Sequence, residues 1–392
     1  MPETSVAVCS DLARDYLRLH LADQVGPVTL RSLLERFGSP RGVLEASVAD
    51  LSRVEGVGRA RADAIFAART STRADEELQL AAEHGARLIC LADAEYPQAL
   101  RHIDDPPTCL FVRGQLLETD AVALAVVGSR RCSHYGSEQA RRFGWLLGSA
   151  GFTVVSGLAR GIDAQSHRGA IEGNGRTIAV LGNGLASVYP PEHAGLAAEI
   201  CQRGAVVSEL PMLTGPDPGN FPRRNRIIVG LSLGVLVVEA ANNSGALISA
   251  RLAGEYNREV FAIPGRIDSP QSSGTNGLIR EGGAKLVSDL QDILDELHGV
   301  GRVMQPADEV KSAAAPALST AEQRILAAMD SEPIELGKLA DQIGLGAGEL
   351  LASLTMLSVK GLIRRLPGDR YVRVIAGARA SRPLPGSEGS LC

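Results

Sequence analysis

The stretch Gly219 to Ala250 reads GNFPRRNRIIVGLSLGVLVVEAANNSGALISA. Three arginines, Arg223, Arg224 and Arg226, fall within four residues, beside Phe221 and Asn225. A helix-like run follows. Then comes an apolar run, Val235 to Val238, with the unbroken hydrophobicity of a parallel strand buried on both faces. That strand ends in Glu239, and a polar loop, Ala240 to Ser244, leads through Gly245 into another helical pattern. In open α/β sheets ligands bind beyond the carboxyl ends of the strands. The stretch therefore sets a guanidinium cluster, an aromatic ring and a polar loop near one mouth. A phosphate chain carrying bases requires that combination. The plainer reading is a solvated basic turn ahead of a core strand.

The same strand-then-helix rhythm runs upstream and downstream. Ala121 to Val127 ends in Gly128-Ser129-Arg130-Arg131 and is followed by a helical pattern from Gly136 to Ala150. Phe152 to Val155 ends in Ser156-Gly157-Leu158-Ala159-Arg160-Gly161. Thr177 to Leu181 ends in Gly182-Asn183-Gly184, and Ala205 to Val207 in Ser208-Glu209. Val260 to Ile263 completes the set, and the alternation predicts a doubly wound parallel sheet. Small residues at the strand ends, among them Ser156, Gly157, Ser244 and Gly245, let a ligand backbone approach closely. Helix N-termini behind them favour an anion. Arg130, Arg131, Arg160, Arg223, Arg224 and Arg226 all fall just past strand ends or in the main loop. Four of them converging would make a phosphate-tracking groove, with Phe221 as a stacking face. An extended strand with splayed bases fits such a groove better than a stiff duplex does, so the expected ligand is single-stranded and read without sequence preference.

Composition sets the limits. At 392 residues two or three domains are expected. The net charge of −5 gives no global attraction to nucleic acid, so anion binding has to come from local clusters. Only four of the forty basic residues are lysines, which favours bidentate phosphate contacts. The six cysteines, at 9, 90, 109, 132, 201 and 392, form no CxxC pair, and no histidines have zinc spacing. Neither metal nor disulfide is expected. No signal-peptide pattern and no apolar run of membrane length is seen, and a cytoplasmic protein is expected.

Both flanks read as small modules. Residues 1–72 are helical and contain VEGVGRARADAI, Val54 to Ile65, a helix-hairpin-helix pattern in which Gly56 and Gly58 allow a tight turn. The next helix would offer free N–H groups to a phosphate, with Arg59 and Arg61 beside it. Val25 to Ser39 resembles a degenerate first copy. The alternative is a helical module whose glycines only close the turn. Residues 73–298 form the main domain, 299–317 a Gly/Pro/Ala/Ser linker and 318–375 a compact module. Its helical patterns, Thr320 to Met329, Leu336 to Ile343 and Ala347 to Lys360, precede a hairpin with a Pro-Gly-Asp turn, the pattern of a winged helix. The third helix carries only Glu349 and Lys360 as charges, which suits a protein contact better than major-groove reading. Arg364 and Arg365 in the wing keep phosphate contact open. Residues 376–392 read as a disordered tail.

Enzymatic readings are weaker. Gly182-Asn183-Gly184 lacks the third glycine of a dinucleotide fingerprint, and no Walker A loop is present. Glu209, Glu239 and Asp163 could face one cleft and activate water, which keeps a nucleotide or nucleoside hydrolase using Glu239 and Asn183 as the alternative. The preferred reading has these carboxylates orient arginines and cap helices. His134 and His167 are expected to be surface or capping histidines, since no GxSxG elbow accompanies them.

At these residues the chain resembles the DprA (Smf) family of DNA-processing proteins. The matching runs keep their order and spacing: VVGSRRCSHYG, VVSGLARGIDAQSHRGA, AVLGNGLASVYPPEH, SELPMLTGPDPGNFPRRNRIIVGLS, VLVVEAANNSGALISARLA, VFAIPG and SSGTNGLIREGGA, over about residues 75–300. The resemblance implies an extended Rossmann-like doubly wound sheet, flanked by an N-terminal helix-hairpin-helix or SAM-like module and a C-terminal winged helix. It implies a non-catalytic, cofactor-free homodimer that binds single-stranded DNA in natural transformation and helps load the RecA recombinase. Carried over by motif, Gly128-Ser129-Arg130 and Phe221 to Arg226 would form the DNA pocket. Dimer and recombinase surfaces would be sought at Leu247 to Glu255 and Leu286 to Leu297.

Overall fold

Alternating residues of each central strand point to opposite faces, and both faces are covered. In β3 (Ala123–Val127), Ala123, Ala125 and Val127 join one apolar cluster while Leu124 and Val126 join another. β7 (Gly234–Val237) divides the same way, with Val235 and Val237 against Leu236. Two buried faces explain why these strands read as continuous apolar runs. The computed structural model describes residues 10–297 and, with breaks, 319–373. The chain divides into two compact units, residues 1–304 and 305–392.

The first unit is built on a nine-stranded sheet. With β1 (Arg87–Cys90), β2 (Cys109–Gly114), β4 (Thr153–Ser156), β5 (Thr177–Val180), β6 (Ala205–Ser208), β8 (Glu259–Ala262) and β9 (Lys285–Leu286), the order is β1-β2-β6-β5-β4-β3-β7-β8-β9. The seven strands from β6 to β9 are parallel, and β1 and β2 add antiparallel at the β6 edge. The sequence pattern marks Arg87 to Leu91 and Cys109 to Val112 as short strands in a bridge over residues 73–120, but neither their place in the sheet nor β9 is legible, because pairing between distant segments leaves no local signal. The parallel order runs outward from β3 in both directions, so β3 and β7 flank the topological switch point.

Helices cover both faces. Asn220–Gly230 and Ala246–Glu255 pack with Leu100 on one side. His134–Ser149, Ile162–Glu172 and Ala194–Arg203 cover the other. Ser133 caps the first of these, accepting from the Gly136 N–H at 3.0 Å. Phe143 and Leu147 of that helix are fully buried, each worth about 2–3 kcal/mol of apolar burial.

The N-terminal helices have their own apolar cluster, including Leu30, Leu33, Leu51 and Ile65. They are also tied to the sheet. His20 Nε2 lies 2.8 Å from the Glu209 carbonyl, Arg31 donates to the Ile103 carbonyl at 3.1 Å, and Glu77 accepts from the Met212 N–H at 2.7 Å. Gly56 sits at φ +76°, which explains why a glycine stands in that hairpin turn, and Gly58 precedes the helix Arg59–Ala68.

In the second unit, helices Thr320–Ala327 and Leu336–Ile343 stand with a three-stranded antiparallel sheet, order β10-β12-β11: Ile334–Glu335, Arg370–Arg373 and Ile363–Leu366. Ile325, Leu339, Leu354 and Tyr371 are among its core residues. The expected linker 299–317, the tail 376–392, most of the helix expected over 347–360 and the side chains of Arg364 and Arg365 lie outside the described residues.

Candidate functional site

A cavity of about 700 Å³ opens at the switch point. Its walls include the loop Gly128–Arg131 after β3, the first turns of the Asn220 helix and the loop Asn243–Gly245 leading into the Ala246 helix, with Ala159, Asp163, Tyr189 and Pro216 beside them. The sequence-predicted residues Gly128, Ser129, Arg130, Arg131, Phe221, Arg224, Asn225, Ser244 and Gly245 all line it. The convergence expected of distant segments is therefore met for this subset.

Arg130 and Phe221 form the centre. The Arg130 guanidinium carbon lies 4.9 Å from the centroid of the Phe221 ring. Such a contact is worth about 0.5–1 kcal/mol at an exposed site, enough to orient a guanidinium and too little to lock it. The guanidinium lies over the ring, and no side-chain hydrogen bond from it is found among the described residues. Tyr189 stands against the same ring at 5.9 Å between centroids and 41° between planes. Sequence reading missed Tyr189, whose only local mark is the Tyr-Pro-Pro run. A Cβ on Gly182 would come within 2.8 Å of the Phe221 ring, which accounts for a glycine there. Arg130 and Arg131 are exposed and have no carboxylate partner among the described residues.

The loops that present them are rigidly held. The Ser129 N–H donates to the Glu239 carbonyl at 2.8 Å. The Glu239 carboxylate accepts from the Ser133 N–H at 3.1 Å and from the Ser133 hydroxyl at 2.6 Å. Asp163 accepts from the Gly157 and Ala159 N–H groups at 3.2 and 3.3 Å. Burial raises the Asp163 pKa, opposed by the Arg224 charge. Asp163 thus fixes a strained loop in which Leu158 stands at φ +57° and Gly161 at +75°. A Cβ at Gly161 would collide with the Ser129 carbonyl. The carboxylates behave as the preferred reading expected. The Asn183 amide donates to the Gly184 and Ser187 carbonyls.

Several expected ligand contacts turn out to be part of the protein's own interior. Arg224 is buried and donates through Nη1 to the Gly157 carbonyl at 2.8 Å and to the Val180 carbonyl, tying the ends of β4 and β5 together. Burial lowers its pKa to about 10, against the stabilising charge of Asp163. Arg226 is buried and paired with Glu209 and Asp105, and it does not line the switch-point cavity. Ser156 is fully buried and donates to the Val126 carbonyl at 2.6 Å. Gly157 is buried under Arg224, whose guanidinium a Cβ there would strike. Arg160 is exposed but engaged by Glu192 at 2.5 Å, away from the cavity. Arg224, Arg226, Ser156 and Arg160 each have a partner that sequence distance concealed. Arg223 is exposed without an ion-pair partner among the described residues, on the far side of the Asn220 helix.

His134 is exposed, as expected, and pairs with Glu138 at 3.2 Å. His167 is not a surface or capping residue: it is fully buried with Nδ1 2.6 Å from the Thr177 hydroxyl, and burial lowers its pKa to about 3. In the helical module, Arg59 pairs with Asp63 at 3.1 Å and Arg61 donates back to the Gly56 carbonyl. Among the described residues no cluster of His, Cys, Asp or Glu could hold a metal ion, and no helix is long and apolar enough to cross a membrane.

Comparison with known proteins follows this geometry. A family model described as DNA recombination-mediator protein A matches residues 87–298, more than half of the chain. A DprA winged-helix model matches 309–369, and a SAM-like helix-hairpin-helix tandem matches 19–68. Protein Smf of Synechocystis sp. is 34% identical over 382 residues, covering 89% of this chain and 96% of that protein. Protein Smf of Escherichia coli is 44% identical over 287 residues, 72% of this chain and 76% of its own. The crystal structure of DNA processing protein A from Streptococcus pneumoniae superposes with a TM-score of 0.62 at 35% identity, covering 72% of this chain and 95% of that one.

Proposed function

The chain belongs to the DNA recombination-mediator protein A family, and from that premise we propose that it binds single-stranded DNA across the switch-point cavity. The observation that carries this is the Arg130 guanidinium lying over the Phe221 ring, with no ion-pair partner among the described residues. A guanidinium in that position serves two functions together. Its plane extends a stack onto which a splayed base can add, and its edge donates to the adjoining phosphate. Arg131 adds a second unpaired charge. Gly128, Ser129, Ser244 and Gly245 let the sugar-phosphate chain approach the loops. Asn225 supplies a neutral polar contact. Arg224 serves as the wall that holds β4 and β5 in place.

Single strands are favoured over duplex because the stack needs an exposed base face, which a paired helix hides. The family resemblance adds the cellular reading: a cytoplasmic, non-catalytic homodimer that protects incoming DNA and helps load RecA. Non-catalysis is supported by the bonds of the Glu239 carboxylate to Ser133 and of the Asn183 NH2 to the Gly184 and Ser187 carbonyls, while Asn183 Oδ1, buried without a partner among the described residues, is an amide oxygen too weakly basic to activate water.

The test is salt dependence. Log affinity for a random single strand is expected to fall by about 0.7 per phosphate contacted for each unit of log salt. Arg130→Ala and Arg131→Ala should each flatten that slope by about one such step. Unchanged slopes in both variants, or preference for duplex in direct competition, reject the assignment. RecA filament growth on strands already carrying the protein tests loading, which fails if growth is not accelerated. Nucleotide turnover by pure protein would bring back the hydrolase.

A further inference from the structure

A second cavity, of about 870 Å³, lies on the other side of the Asn220 helix. It is enclosed between the sheet domain and the chain segment His20–Pro27 of the N-terminal module. Pro222, Arg224 and Ile248 line both cavities, so the first turn of the Asn220 helix is the partition between them. The volume falls in the range of small-molecule sites.

Its lining is chemically unlike that of the first cavity. Arg226, buried like Arg224 beside it, has Nε 3.2 Å from Asp105 and Nη2 2.6 Å from one Glu209 oxygen. Its Nη1 is buried with no hydrogen-bond partner. Tyr256 donates to the other Asp105 oxygen at 2.7 Å. Asp105 and Glu209 flank the Arg226 guanidinium, and Asp23, Arg73, Arg223 and Arg224 complete the charged lining, so carboxylate acceptors stand beside cations. Leu181, Leu210, Ile227 and Leu252 supply flat apolar surface beside these polar groups. Arg223, exposed and without an ion-pair partner among the described residues, stands in the same lining.

We infer that this second cavity is a nucleobase subsite, taking one base of the strand whose phosphates lie in the switch-point cavity. The inference rests on the DNA-binding reading above and deepens it. Asp105 and Glu209 keep 34% and 17% of their side chains exposed, so their oxygens can accept from base N–H groups. Every base carries such donors on its pairing edge, and in a duplex the partner strand occupies that edge. Arg223 holds the phosphate that precedes the inserted base. The apolar walls take its ring faces. The sequence leaves this cavity invisible because its walls come from seven segments between His20 and Tyr256.

The test uses the full chain with two fluorescent probes of about 20 nucleotides, longer than a single-domain site size. One is a random single strand. The other is an abasic strand with the same number of phosphates. Leu252→Trp, which fills the cavity, should weaken the base-bearing strand about tenfold and leave the abasic strand unchanged, with the salt slope intact. Leu252→Ala, which widens the cavity, should retain tight binding and shows that occlusion causes the effect. Equal binding of the base-bearing strand by wild type and Leu252→Trp overturns the inference and leaves the cavity to a protein segment. Equal weakening of both strands overturns it too. Failure of the DNA-binding reading looks different: the Arg130→Ala slope stays at the wild-type value whatever stands at position 252.

Discussion

The rim of the switch-point cavity and the floor behind it are both rich in ionisable groups, and the two regions use them in opposite ways. On the rim, Arg130 and Arg131 are exposed and lack carboxylate partners, and Arg223 is in the same condition across the Asn220 helix. On the floor, Asp163, His167, Arg224 and Arg226 are buried: Asp163 and Arg224 bond backbone, Arg226 pairs with carboxylates, and His167 meets the Thr177 hydroxyl. The difference is one of desolvation. A buried charge must find partners within the protein or neutralise, so its hydrogen bonds are committed before a ligand arrives. A rim charge keeps its water and can exchange it for a phosphate. Arg223 and Arg224, adjacent in the chain, fall on the two sides of that divide.

The sharpest way to break this contrast is to delete one arginine from each side. Arg226→Ala leaves Glu209 and Asp105 close together without their cation, and should cost about 3–5 kcal/mol of folding stability in urea titration. Arg223→Ala should change stability by less than about 0.5 kcal/mol. Similar losses in both variants would erase the distinction between floor and rim.

His167 offers a pH route. Its folded pKa, lowered to about 3, lies below the ordinary value of 6.5, so below that value the unfolded chain binds a proton that the folded chain refuses. Stability from this group is full above pH 6.5 and lost as pH falls toward 3. Between neutral pH and pH 5 the loss should be about 2 kcal/mol, above the range where ordinary carboxylates titrate. Urea midpoints of His167→Gln should lack this component; the same pH dependence in the variant assigns it elsewhere.

Phe221→Ala removes the rim's stacking surface without touching a charge. Affinity for a single strand should fall about tenfold while the salt slope holds, measured by anisotropy. A changed slope would mean that the ring acts by positioning Arg130 rather than by receiving a base. The smallest effect is expected in the helical module. Arg59 is exposed and paired with Asp63 one turn away, a bond worth about 0.3–0.5 kcal/mol. Arg59→Ala should leave strand affinity within about twofold, and a larger drop would make the hairpin turn a third contact region.

Much of this molecule is local in origin. Apolar runs buried on both faces announce β3 to β8 to within two residues, because a strand's period and its flanking glycines are properties of neighbouring residues. Gly56 and the winged-helix hairpin are legible for the same reason. Arg130 and Phe221 were identifiable as chemistry, though not as a stacked pair, since 91 positions of chain separate them.

Sequence alone determined the α/β class, the three-part organisation and the residue types available for gripping a phosphate chain. Only the tertiary structure decided that β1 and β2 extend the sheet, that the site sits where strand order reverses between β3 and β7, and which arginines face water. The physical reason is that burial and ion pairing depend on what the fold brings within a few ångströms. Glu209 reaches Arg226 and Asp163 reaches the Gly157 loop through space, and no pattern of neighbours along the chain encodes those distances.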